Sequence, residues 1–95
     1  MYLSKIGTAG TLESSDIKII IEAKDNPGIE IDLQSGVIKQ FGKQIRKVIE
    51  ETIKSQGIEN AYVRAVDKGA VDFVIKARTL TALYRSAGKE YNFGE

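Results

Sequence analysis

Two adjacent serines flanked by acidic residues are the first feature of this sequence that suggests chemistry. Ser14 and Ser15 lie between Glu13 and Asp16, after a glycine-containing segment and before an apolar run. Short polar side chains of this kind usually bond to the nearby backbone and stabilise a turn, and composition alone favours that interpretation. The stretch would also suit a hydroxyl to which a partner enzyme attaches a group through a phosphodiester. It does not suit free phosphate, because the two carboxylates would repel it.

The composition lacks the side chains on which most small active sites depend. The 95 residues include no histidine and no cysteine. Histidine is the usual general base near neutral pH, and cysteine is the strongest thiol nucleophile. Ser–His and Cys–His catalytic pairs are therefore excluded, as are disulfides and thiolate metal sites. We expect neither a metal site nor catalysis by this chain alone.

Charge and hydropathy limit the partners that the chain can have. The formal net charge is +1, which predicts no strong attraction to nucleic acid or to an anionic membrane. No apolar run approaches the roughly 20 residues that a membrane-spanning helix needs. The residues after Met1 lack the apolar core of a signal peptide. We therefore expect a cytoplasmic protein.

Strand patterns follow the serine pair. Residues 17–22 are rich in β-branched side chains, and residues 29–33 alternate between apolar and acidic side chains. A turn is predicted between them at residues 25–28, which include the only proline. We predict that the two strands form an antiparallel hairpin. Residues 5–11 are a candidate for a third strand.

A long amphipathic helix is predicted next. Apolar side chains recur at steps of three and four residues between positions 38 and 53. Ser35 is the predicted N-cap, and Gly57 is the predicted residue just beyond the C-terminus. Gly42 inside this helix costs about 1 kcal/mol relative to alanine, which indicates a close packing neighbour or a small kink.

The remaining sequence predicts a strand at 61–66, a turn at 67–69 and a second helix over 70–87 that ends at Gly88. A strand at 71–75, paired with the preceding strand, is the alternative. The resulting fold class is α+β, with a small antiparallel or mixed sheet of three to four strands and two helices packed on one face. We expect one domain over residues 1–88 and a loose tail at 89–95, from which Tyr91 and Phe93 could return to the core.

The long helix also suggests an alternative function. Residues 37–52 resemble the centre of a K-homology RNA-binding domain, in which a Gly-x-x-Gly loop clamps nucleotides. Lys39 stands at the first glycine position, and only Gly42 remains, inside a continuous helical pattern. An RNA-binding module that uses Lys39, Lys43 and Arg46 therefore remains an alternative, as does a purely structural adaptor.

Three motifs together resemble the acyl carrier protein, or gamma subunit, of citrate lyase. They are AGTLESSD at residues 9–16, KQFGKQIR at 39–46 and DKGAVDFVIKAR at 67–78. Their order is that of the family over residues 8–88. The carrier subunit of malonate decarboxylase is a more distant alternative, because it shares the Gly-Ala start of the second helix but matches the first motif less well.

The resemblance implies a carrier subunit without catalytic residues, in a complex that splits citrate into acetate and oxaloacetate. Its cofactor would be 2'-(5''-phosphoribosyl)-3'-dephospho-coenzyme A, joined by a phosphodiester to Ser14, the first serine after Glu13. Ser15 stands where some relatives have glycine. The thiol of the group would carry acetyl and citryl between the alpha subunit, which exchanges them, and the beta subunit, which cleaves citryl.

The same resemblance implies three partners: the alpha subunit, the beta subunit and a prosthetic-group transferase. We expect these partners to recognise Glu13 and Asp16 beside the serines, together with Asp67 and Lys68. A chain without cysteine cannot form an acyl thioester by itself, so its composition is compatible with an imported thiol.

Overall fold

A four-stranded mixed sheet with two helices packed against it forms the structure. The computed structural model describes residues 1–90 of the chain. The strands are β1 (Gly7–Ala9), β2 (Ile17–Glu22), β3 (Gly28–Ser35) and β4 (Asn60–Asp67), and the helices are α1 (Ile38–Ser55) and α2 (Asp72–Ser86). The predicted fold class is confirmed, and the candidate third strand is present as β1. Neither helix of the described part is long and apolar enough to cross a membrane.

The order of the strands corrects one prediction. The sheet runs β1-β2-β4-β3, so β4 lies between β2 and β3 and the predicted hairpin of those two strands is wrong. β3 pairs with β4 in parallel, whereas the other neighbours are antiparallel. The chain crosses from the end of β3 to the beginning of β4 through α1. β4 therefore starts at the same end of the sheet as β3 and runs parallel to it.

The core lies between the helices and one face of the sheet. Ile17, Ile19 and Ile21 of β2 are fully buried on that face, as β-strand alternation requires. Side chains of α2 cover β1 and β2, whereas α1 packs against β3 and α2. Burial of each large aliphatic side chain contributes about 1.5–3 kcal/mol. The fully buried apolar members from the other elements are Ile49, Ile53, Ala61, Val63, Ala65, Ile75, Ala82 and Leu83.

The ends of α1 confirm one predicted cap and correct the other. Gly57 follows the helix with φ of +80°, in the left-handed conformation that favours glycine. Ser35 is not the N-cap, since α1 begins at Ile38 after Val37, which makes no side-chain cap bond. Ser35 is instead the last residue of β3, paired with Asp67 of β4, because the parallel ladder continues to that point.

The second helix settles the alternative at residues 71–75. The chain is helical from Asp72, so a strand there is excluded, and Gly88 adopts φ of +74° just beyond the helix as expected. Ile75, Thr79 and Leu83 are buried at helical spacing, which explains why this segment packs as a helix. The predictions for Tyr91 and Phe93 concern residues outside the described range.

Candidate attachment loop

The serine pair lies in the loop between β1 and β2, at one end of the sheet. Asp16 donates its backbone N–H to the carbonyl of Glu13 at 3.2 Å, which closes a four-residue turn. Ser14 is exposed in this turn, and its hydroxyl has no hydrogen-bond partner within residues 1–90. The loop therefore presents the Ser14 hydroxyl directly to solvent.

Ser15 has a different backbone conformation from its neighbour. Its φ is +67°, the one positive value of a non-glycine residue in the described part of the chain. The third position of such a turn favours glycine, because a side chain there is crowded by the backbone. Glycine at this position would relieve the strain, which gives a physical reason why the two serines are not equivalent.

The carboxylate of Asp16 organises the loop. It accepts hydrogen bonds from the backbone N–H of Thr11 at 3.1 Å, the Thr11 hydroxyl at 2.7 Å and the backbone N–H of Ile17 at 2.7 Å. The guanidinium of Arg78 donates two more, from Nε at 3.0 Å and from Nη2 at 2.9 Å. Asp16 is only 9% exposed, so these contacts replace the water that its charge has lost.

These contacts also set the protonation state of Asp16. The Arg78 guanidinium holds the pKa of this carboxyl well below its usual range, and hydrogen bonds from Thr11 and Ile17 act in the same direction. Burial opposes them but does not prevail. Asp16 is therefore a permanent negative charge near neutral pH, bonded to groups of this chain.

The DKGAVDFVIKAR motif lies directly against the AGTLESSD motif. The backbone N–H of Ser15 donates to the Lys68 carbonyl at 2.8 Å, and the N–H of Lys68 donates to the Asp16 carbonyl at 2.9 Å. These bonds extend the β2–β4 ladder past the pair formed by Ile17 and Asp67. The side chain of Lys68 is exposed next to the serine turn.

Asp67 forms hydrogen bonds at the same end of the sheet. Its carboxylate accepts the Ser35 hydroxyl at 2.9 Å and the backbone N–H of Ala70 at 3.0 Å, and the residue is 3% exposed. It thereby joins the end of β3 to the start of α2. Gly69, with φ of +92°, turns the chain between β4 and α2.

The structure thus brings the sequence-predicted residues together at one end of the sheet. Ser14, Glu13 and Lys68 are exposed there, whereas Asp16 and Asp67 bond within the chain. Recognition by partners stays a prediction for all four flanking residues. Arg78 was not predicted to belong to the site, although it is the last residue of the DKGAVDFVIKAR motif. Its partner Asp16 lies 62 positions away in the chain, so no local pattern indicates the pair.

Gly10 at the start of the loop is explained by close packing. Its φ is +88°, and a Cβ at this position would collide with the carbonyl of Ile17. A glycine is therefore required for the first residues of the loop to lie against β2.

The RNA-binding alternative has no matching loop in the structure. Gly42 lies inside α1, which continues without interruption, and a Cβ there would come within 3.1 Å of Ile38 Cγ1. The guanidinium of Arg46 donates to the carbonyl of Ile31 at 2.6 Å. The described residues therefore contain no Gly-x-x-Gly clamp at this place.

Comparison with known proteins identifies the family. The model of the malonate decarboxylase delta subunit (MdcD), an acyl carrier protein model, matches residues 4–86. The citrate lyase acyl carrier protein of Streptococcus mutans is 54% identical over 90 residues, or 95% of this chain and 88% of that protein. The chain belongs to the citrate lyase acyl carrier protein family. The predicted family is confirmed.

Further members of this family match nearly the whole chain. The citrate lyase acyl carrier protein of Lactiplantibacillus plantarum is 59% identical over 86 residues, which cover 90% of this chain and 88% of that protein. That of Fusobacterium nucleatum is 49% identical over 94 residues, which cover 98% and 100%.

Two solved structures share the fold. A chain of a Pseudomonas malonate decarboxylase hetero-tetramer in complex with malonate matches with a TM-score of 0.70 and 17% identity, over 88% of this chain and 86% of that chain. Homoserine kinase from Cytophaga hutchinsonii matches with a TM-score of 0.60 and 12% identity, over 92% of this chain and 36% of that chain. Likeness at these identities shows the fold alone.

Proposed function

We propose that this chain is the acyl carrier subunit of a cytoplasmic citrate lyase and that Ser14 bears its prosthetic group through a phosphodiester. The observation that carries the proposal is the exposed hydroxyl of Ser14, which has no hydrogen-bond partner in the described part of the chain. Thr11 and Asp16 of the same loop are hydrogen-bonded, whereas Ser15 is exposed like Ser14 and differs from it in its positive φ. The family of this chain supports the carrier role.

The other hydroxyl groups of the region fit the attachment less well. Thr11 donates its hydroxyl to Asp16 and accepts the backbone N–H of Glu13 at 3.2 Å, so a transferase would have to break this network to reach it. Thr8 lies within β1. Ser15 occupies a backbone conformation that glycine satisfies better than serine.

The residues around Ser14 suit a charged, covalently held group. Lys68 is exposed beside the turn, and its ammonium can balance the negative charge of a phosphodiester. When bound, 2'-(5''-phosphoribosyl)-3'-dephospho-coenzyme A supplies the thiol that carries the acyl group. The bonds of Asp16 to Thr11 and Arg78 attach the base of the loop to α2 and leave Ser14 exposed in its turn.

The partners in this proposal are the alpha and beta subunits and the prosthetic-group transferase. Glu13 is the exposed acidic residue next to Ser14, and it is suited to steer a basic partner surface towards the turn. Asp16 and Asp67 would contribute to recognition through the shape of the loop that they hold. Attachment through a tether raises the local concentration of the acyl group at both partner sites.

Intact mass of the chain co-expressed with the transferase tests the attachment. The mass is expected to rise by that of the prosthetic group, and Ser14→Ala is expected to abolish the gain completely. Ser15→Ala is the matched control, because it removes the adjacent hydroxyl and should retain the gain. An adduct that survives Ser14→Ala, or no adduct on the unsubstituted chain, would count against the proposal.

A further inference from the structure

An apolar groove lies between the first half of α1 and the start of α2. Its cavity volume is about 470 Å³. Most of its wall is apolar, and we call it the interhelical groove after the residues Val37, Phe41, Ile45, Ala70, Val71 and Ile75. Phe41 is 52% exposed and Val71 is 66% exposed. Large apolar side chains that stay in water at the edge of a groove mark a binding site.

The interhelical groove lies beside the attachment loop, which is the segment of residues 10–16 between β1 and β2. Asp67 and Gly69 line it, and Lys68 between them is hydrogen-bonded through its backbone to Ser15 and Asp16. Consecutive Cα atoms are 3.8 Å apart, and bonded antiparallel neighbours are about 5.5 Å apart. Ser14 therefore lies within about 13 Å of Gly69 along this path. A group tethered to Ser14 has the groove within its reach.

The charge at the rim fits the first part of such a group. Lys68 has an exposed side chain and no ion pair within residues 1–90. A phosphodiester on Ser14 would place a negative charge beside this cation. The wall behind Lys68 is mostly apolar, and its polar residues are Gln44, Asp67 and Asp72. The cation and the apolar wall match a phosphate that two ribose units join to an aromatic base.

Resting on the attachment proposed above, we propose that the interhelical groove holds the adenine ring of the prosthetic group, against Phe41 and Val71. Adenine is the aromatic ring of this group and lies towards its serine end, because the phosphoribosyl unit joins the serine to the ribose of the adenosine. Its flat face packs on Phe41, as bases do on exposed aromatic side chains. The thiol lies at the opposite end of the group and remains free to reach the partner subunits.

This placement would anchor the near end of the arm on its own carrier. Only the segment beyond the adenosine then moves between the alpha and beta subunits. A shorter mobile segment searches a smaller volume and raises the effective concentration of the acyl group at each partner site.

Nuclear magnetic resonance of the isotopically labelled, loaded chain tests the placement. Intact mass first establishes that Ser14 carries the group. We then expect nuclear Overhauser contacts from the carbon-bound protons of adenine to the Phe41 ring and the Val71 methyls. The backbone amides of Phe41 and Val71 should shift relative to the unmodified chain.

Two phenylalanines on the helices provide a matched pair of variants. Phe41→Ala should abolish the contacts and return the adenine resonances to their positions in the free coenzyme. Phe73→Ala should leave them unchanged, because Phe73 is 77% exposed and does not line the interhelical groove. Val71→Ser, at another exposed position, should weaken the contacts independently of Phe41.

The outcomes separate this inference from the proposed function. An adduct on Ser14 whose adenine resonances equal those of the free coenzyme overturns the placement but not the attachment. Absence of the adduct overturns both. Concentration-dependent shifts at the groove of the unmodified chain would assign it to a second copy, and shifts seen only after the alpha or beta subunit is added would assign it to that partner. Either result overturns the placement.

Discussion

Arg78 and Asp16 lie 62 positions apart in sequence and form a bidentate ion pair. Nε and Nη2 of the arginine are 3.0 and 2.9 Å from the two carboxylate oxygens. One partner belongs to α2, and the other is the last residue of the serine-bearing loop. The pair therefore fixes the loop to the helix. Parallel bonds of this geometry are among the stronger polar contacts in proteins.

Removal of the guanidinium should destabilise the fold. Arg78→Ala leaves the largely buried Asp16 carboxylate without its ion partner, and we expect a loss of about 1–3 kcal/mol in the free energy of unfolding. The expected loss is smaller than for a fully buried ion pair because the Arg78 side chain is 41% exposed and solvent screens its charge. Urea denaturation followed by circular dichroism measures the loss. Arg64→Ala, at an exposed position of β4, is the control and should change stability by less than about 0.5 kcal/mol. Equal losses in the two variants would refute the role of the pair.

Stability should depend on pH through Asp16. Its pKa is lowered in the folded chain, chiefly by Arg78, so the unfolded chain binds more protons and folding is favoured by higher pH. The contribution is complete above the unfolded pKa of about 3.9 and is lost as the pH falls below it. The urea concentration at the unfolding midpoint, measured from pH 6 to acid conditions, should decrease as the pH falls below about 3.9. Asp16→Asn should make this decrease smaller. Asp32→Asn, at an exposed position of β3, is the control, and an equal flattening there would contradict the assignment.

Gly10 should not tolerate a side chain. Gly10→Ala would place a Cβ against the carbonyl of Ile17 and would strain a backbone with φ of +88°, so a loss of at least about 2 kcal/mol is expected. Gly36→Ala is the control, because nothing lies within 4 Å of its Cβ position and its φ is not in the left-handed region. Thermal unfolding of both variants measures the two losses of stability. A Gly10→Ala variant as stable as Gly36→Ala would show that the loop packs differently.

The strained backbone of Ser15 predicts that two substitutions differ in their effect on stability. Ser15→Gly removes the strain of a positive φ, but it also increases the conformational entropy of the unfolded chain. Because these effects oppose each other, we expect a free energy of unfolding within about 0.5 kcal/mol of that of the unsubstituted chain. Ser15→Val places a β-branched residue in the same conformation and should cost more than about 1 kcal/mol.

Thermal unfolding measures the stability difference between the two Ser15 variants, and intact mass after co-expression with the transferase reports attachment. Ser15→Gly should still accept the prosthetic group, because the Ser14 hydroxyl remains in the same turn. Loss of the adduct in this variant, with the fold intact, would place the attachment on Ser15 and not on Ser14.

Much of the secondary structure could be read from local patterns. The alternation of Ile17, Ile19 and Ile21 predicts a half-buried strand, and the spacing of Ile45 and Ile49 predicts a helix face. These patterns work because burial of one face depends on residues two, three or four positions apart. The family motifs likewise belong to the sequence, and they single out Ser14 as the candidate for attachment.

The sequence by itself determined the family, most of the elements and the residues of their core faces, since each of these depends on neighbours along the chain. It left residues 71–75 open between a strand and a helix. Only the tertiary structure decided which strand pairs with β3, because that choice depends on where α1 returns the chain. It also placed Arg78 on Asp16 and the Lys68 backbone on Ser15, contacts between segments more than 50 residues apart. Such contacts leave no periodic pattern in a sequence, since they form only when the sheet and the helices have packed.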